Sequence, residues 1–235
     1  MAKHTSKAYM TPGEQMAGTI FLALYLFLLP ALLPPVFRFV GTLLGTTVSQ
    51  GVQQILYYDL LLVAAVVIFH GFLGRTSRQF AGNLGGSCRS MAVGLIALYG
   101  LNELAYRLIR LLFAAHTNLN DVTIAAQVPS VPRITFVIAV FLSPFVEEVL
   151  FRGLVFGNLR GKSRTVAYLV SALLFALSHT WQVLAVQQDL AAVLTLAQYL
   201  VPGLVLCWVY DESGSLWTPI GLHATFNALC LLLIR

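Results

Sequence analysis

The chain has 235 residues, 58% of them hydrophobic and only 10% charged, against roughly 25% charged in an average soluble domain. It has too few charges to cover a soluble fold and is too apolar to be disordered. The net charge of +5 comes from basic residues clustered between apolar runs, a pattern of membrane topology that argues against nucleic acid as a partner.

A mean hydropathy of +0.83 and repeated apolar runs of near-bilayer length predict an all-α, polytopic transmembrane bundle of about seven spans, within a range of about six to eight. Lys3 and Lys7 precede the first run, 16–44, which is too long for a signal-peptide core and reads as a retained span. Pro30, Pro34 and Pro35 should kink it or break it into a span and a short interfacial piece. A second span is expected at 53–73. Arg75, Arg78, Arg89 and the glycines among them then read as a loop. The third span is expected at 91–115, and 116–131, with Asn118, Asn120, Asp121 and Pro129, reads as another loop. The fourth span covers 132–157, and Gly161 to Arg164 form a tight basic turn. The fifth, sixth and seventh spans fall at 165–181, 190–210 and 216–234, the last two separated by Asp211 to Gly214. A re-entrant segment near 77–89 or 182–189 would change the count. No internal repeat is visible.

With the N-terminus inside, Lys3, Lys7, Arg75, Arg78, Arg89, Arg160, Lys162 and Arg164 lie inside. Arg38, Arg107, Arg110, Arg133 and Arg235 lie outside, so the positive-inside rule favours a cytoplasmic N-terminus in the cell membrane. Cys88, Cys207 and Cys230 are scattered, with no metal or redox spacing.

Ionisable residues inside spans carry the chemical information, because each costs at least about 2.5–3.5 kcal/mol near the bilayer centre. The fourth span holds Glu147, Glu148 and Arg152. Glu148 and Arg152 are four residues apart, share a helix face and can pair, whereas Glu147 is turned about 100° away without a local cation. The fifth span carries Phe175 and His179, again four apart, and the seventh carries His223 and Asn227 at the same spacing. Each motif alone also fits a packed or interhelical polar cluster. Together they supply a carboxylate or imidazole base and neutral donors, the equipment for activating water and stabilising an oxyanion. Glu103 and Arg107 should pair on the third span. Asp59, His70 and His116 lie near span ends, and Trp181, Trp208 and Trp217 suit interfacial belts.

In this order, Glu147-Glu148-x-x-x-Arg152, Phe175-x-x-x-His179 and His223-x-x-x-Asn227 resemble the three motifs of the CPBP (CAAX protease/Abi) intramembrane proteases, a family that includes the Ras-converting CAAX endopeptidase. The resemblance covers about 133–234 and implies a catalytic membrane domain over 131–235, whereas 1–130, read as N-terminal helices from their hydropathy, resemble no named family. It implies an endopeptidase acting on membrane-associated or lipidated proteins. Glu147 and His179 would activate water, His223 and Asn227 would stabilise the oxyanion, and Glu148 and Arg152 would support the site. No cofactor is expected; the alternative is zinc on Glu147, His179 and His223, in the manner of a His₂Glu site. Other function classes are a non-proteolytic factor, such as a bacteriocin self-immunity protein or a sensor-kinase scaffold, and a small proton-coupled transporter using Glu147 and Glu148.

Overall fold

The computed structural model describes residues 9–112, 131–186 and 190–233. Among these residues there is no strand, and the chain folds as the all-α bundle that its hydropathy demands. We number seven helices: α1 (Pro12–Leu44), α2 (Gln50–Gly82), α3 (Leu84–Leu112), α4 (Pro132–Arg160), α5 (Arg164–Val186), α6 (Leu190–Ser213) and α7 (Trp217–Leu233). Helices α1 to α4 and α6 are long and apolar enough to cross a bilayer, and α7 is a shorter apolar helix. The chain is an integral membrane protein.

Helix α1 starts in a capping box between Thr11 and Glu14. Its prolines do not break it, contrary to one sequence expectation. Pro30 lacks an N–H, and the helix widens just before it. Leu24–Leu28 form a π-helical segment in which the Leu29 N–H reaches the Leu24 carbonyl. The helix ends at Gly45, whose φ of 63° is open to glycine without strain.

The loop and the re-entrant segment considered around Arg75–Arg89 do not exist. Helix α2 continues to Gly82, Asn83 alone interrupts it, and α3 begins at Leu84. Gly74, Gly82 and Gly85 face open space, so they leave the helices intact. A helix of 33 residues is about 50 Å long against a hydrocarbon core of about 30 Å, so the arginines ride on helix extensions. The expected end of the third span at Ala115, the loop at 116–131 up to residue 130, and His116 lie outside the described residues, as do Lys3, Lys7, residues 187–189 and Arg235.

Helix α2 kinks at Phe69, where φ is −107° and ψ 15°. The kink frees the Phe72 N–H, which donates to Glu14 Oε1 at 2.6 Å, while Arg75 pairs with the other oxygen of Glu14 at 2.5 Å. Further ties gather at this end of the bundle. The Thr76 hydroxyl accepts from the Leu216 N–H at 2.7 Å, Trp217 Nε1 donates to Ser77 at 2.8 Å, and Arg160 and Arg164 both pair with Asp211. One end of the bundle therefore collects Arg75, Arg160 and Arg164.

Helix α4 is the axis. In its most apolar stretch 61% of residues are buried, against 6% in that of α1. Phe27 and Ile96, both 75% exposed, belong to the outward faces of α1 and α3, which suit lipid. Helices α5 and α6 touch closely because Gly203 lies against Ala172, where a Cβ would sit 3.0 Å from the Ala172 backbone.

Candidate active site

The motif residues meet around α4, which is π-helical over Ile138–Leu142 and Glu148–Phe156. Widened turns of this kind recur at functional sites. Glu147 lies midway along α4, about 20 Å from either end.

Two clusters separate the neighbouring carboxylates. In the first, Glu148 Oε1 accepts from Arg152 Nη1 at 2.9 Å and faces His223 Nδ1 at 2.9 Å. Glu148 and Arg152 are fully buried. The second arm of the guanidinium donates to the Gly203 carbonyl at 3.1 Å, and its flat face lies 4.4 Å from the centre of the Phe175 ring. The pairing expected from spacing is formed, and it gains an acceptor on α6 and an imidazole on α7.

In the second cluster Glu147 Oε1 accepts a hydrogen bond from the Ser143 hydroxyl, one α-helical turn back. Its Oε2 is buried, has no hydrogen-bond donor among the described residues, and stands 3.6 Å from His179 Nε2. His179 is fixed from behind: Nδ1 lies 2.8 Å from the Phe175 carbonyl and 3.2 Å from the Ser178 hydroxyl. Donation from Nδ1–H to that carbonyl leaves the Nε2 lone pair of the neutral ring directed at Glu147. The Tyr199 ring stacks on the imidazole at 4.8 Å, and Phe175 packs at 4.5 Å.

The clusters share Phe175, whose ring contacts both imidazoles; His223 is 5.8 Å away. Asn227 also points to α4, but its amide donates to the Ala139 carbonyl at 2.8 Å. Asn227 therefore makes the interhelical bond of a packing residue, with a second N–H still available for donation.

The candidate zinc set does not assemble as a ligand group. Glu147 and His179 converge, while His223 Nδ1 is engaged by Glu148. Among the described residues no three His, Cys, Asp or Glu side chains are grouped to hold a metal ion.

Several residues around the site had no motif to announce them. Ser143 precedes Glu147 by the same four-residue spacing that paired Glu148 with Arg152, a signal available in the sequence. Tyr199 and Gly203 sit on α6, which carries no motif. Tyr25, on α1, packs edge-on against Phe151 of α4 with 6.3 Å between ring centres.

Residues 129–229 match the family model "Type II CAAX prenyl endopeptidase Rce1-like". The resemblance carried by the three motifs is borne out over that stretch. UPF0177 protein YxdF of Lactococcus lactis subsp. lactis (strain IL1403) is 32% identical over 87 residues, which are 36% of this chain and 41% of that protein. The chain thus spans less than half the length of this curated relative. No solved structure matches it.

Proposed function

For a membrane chain whose residues 129–229 are Rce1-like, we propose an intramembrane endopeptidase that hydrolyses peptide bonds of membrane-associated or lipidated proteins, with 131–235 as its catalytic part. One observation carries the reading. Glu148 is neutralised by Arg152, while Glu147 presents a buried oxygen without a donor 3.6 Å from a second acceptor, His179 Nε2. Two acceptors at this separation suit a single water that donates one proton to each.

In the proposed reaction Glu147 takes a proton from that water as its oxygen bonds to the scissile carbonyl carbon. His179 orients the water. The carbonyl oxygen becomes an oxyanion that accepts from the second N–H of Asn227 and from His223 Nε2–H. His223 donates there as an imidazolium, which the Glu148 carboxylate stabilises. The C–N bond then breaks, the proton on Glu147 passes to the leaving amine, and the carboxylate is restored. No step is routed through a metal, because the donor set does not gather around one point.

Glu147→Gln preserves shape and removes the base, so turnover should fall by about 10²–10⁴-fold, the usual contribution of general base catalysis. Comparison of protein termini in membranes carrying the wild type or Glu147→Gln tests this. Wild-type-specific new termini are expected; identical termini together with an unchanged phenotype would point to the scaffold class. Purified protein should keep its activity after dialysis against a strong chelator, and loss restored by zinc would replace this mechanism.

A further inference from the structure

A groove of about 540 Å³ runs between α1 and α2 and ends beside the site. Its inner end is formed by Tyr25 and Tyr58 and by Ser178, whose hydroxyl touches His179. One wall is apolar, with Leu29, Leu33 and Phe37 of α1. The other carries Gln50, Gln53 and Gln54 of α2. Among the described residues no Asp, Glu, Lys, Arg or His lines the groove. The Gln53 amide is committed to the Val48 carbonyl at 2.7 Å, whereas Gln50 and Gln54 make no side-chain hydrogen bond among the described residues.

We infer that this groove is the subsite for an extended, uncharged peptide segment of the substrate next to the scissile bond. The inference rests on the protease reading of the site and adds its substrate class. A carboxamide donates and accepts, matching the alternating N–H and C=O groups of a main chain. Along its described lining a phosphate, a carboxylate or a basic side chain would meet no opposite charge; Arg38 lines the adjoining pocket that shares Phe37 and Gln53 at the outer end. An isoprenoid or acyl chain would match the α1 wall but cover the glutamines without satisfying them. From Gln50 to Tyr58 the helix rises about 12 Å, the length of about four extended residues.

The groove also has a direction. Gln50 opens α2 and Phe37 lies near the close of α1, at the end of the bundle opposite Arg75, Arg160 and Arg164. The peptide therefore approaches from the end away from the basic cluster. Apart from Ser178 and Trp181, the described lining lies outside the family-matched residues 129–229.

Binding to the purified Glu147→Gln protein in nanodiscs tests the proposal without turnover. The probe is a blocked, uncharged octapeptide of Ala, Ser, Val and Leu containing one photo-leucine. It should cross-link within 25–58, and central Asp or Lys should weaken it at least tenfold. Gln50→Leu/Gln54→Leu should also weaken it at least tenfold, and Leu33→Trp, which fills the groove from the opposite wall, should do the same. Charge-insensitive binding, cross-links confined to other segments, or displacement by a diazirine farnesol analogue that labels 25–58 would overturn the proposal. The wild-type protein separates the two readings. Groove cross-linking with no cleavage supports the subsite and sinks the protease; cleavage with charge-insensitive binding sinks the subsite and leaves the protease standing.

Discussion

At the scale of single residues, Arg152 and Asn227 both bridge helices, yet they should fail differently. Arg152→Ala leaves Glu148 buried beside one imidazole, and breaking a buried pair costs about 3–5 kcal/mol. Its melting temperature in detergent should fall sharply along with activity. Arg152→Lys should rescue little, since an ammonium cannot at once reach Glu148, reach the Gly203 carbonyl and lie flat on Phe175. Asn227→Ala loses one interhelical bond, worth about 0.6 kcal/mol on average in membranes, so it should melt nearly normally. Its turnover should drop by about 10²–10³-fold if the second N–H serves the oxyanion. Parallel melting and turnover measurements decide; an Asn227→Ala protein that melts like Arg152→Ala but cleaves normally when folded would make Asn227 a packing residue. The Glu148–Arg152 contact was legible in the sequence because four residues on one helix are neighbours by geometry. The partner of His223 lies 75 residues away, and no spacing rule crosses that distance.

At the scale of elements, the seven apolar runs mark helices because a bilayer forces every backbone amide to bond within its own segment. Their ends were less legible. Glycines and arginines after residue 73 read as a loop by soluble-protein habits, yet two helices broken only at Asn83 carry them. The π-helical stretches of α4 had no sequence signature; Glu148 opens the second of them, and Glu147 closes the short α-helical segment between the two. Gly203 offers a test of how elements position the site. A leucine there must push Ala172 of α5 away, moving both the acceptor of Arg152 and the neighbouring Tyr199. Gly203→Leu should lose about 1–3 kcal/mol through overpacking and most of its activity. Gly74→Leu, whose added atoms meet open space, should keep both. Thermal melts and turnover of the two variants in one detergent provide the comparison.

At the scale of the whole molecule, the alternating helices bring Arg75, Arg160 and Arg164 to one end, and the ties between α2, α6 and α7 fix that end. The positive-inside rule predicts that this end faces the cytoplasm. A cysteine at position 162, with Cys88, Cys207 and Cys230 replaced, should react with an impermeant maleimide only after the cells are opened. Labelling of intact cells would invert the molecule and place the mouth of the groove on the cytoplasmic side.

The sharing of Glu148 between Arg152 and His223 also sets the electrical character of the centre. With His223 as the imidazolium of the proposed mechanism, two carboxylates, one guanidinium and one imidazolium would sum to zero, so the site would sit in hydrocarbon without a net ion. That imidazolium would supply the one charge that the guanidinium leaves uncompensated. The proposed hydrolysis would move protons only among groups a few ångströms apart, with no charge crossing the bilayer. Moving one elementary charge through 100 mV is worth about 2.3 kcal/mol; a centre that moves none is indifferent to the voltage across its membrane, and its turnover should be the same in energised and de-energised cells.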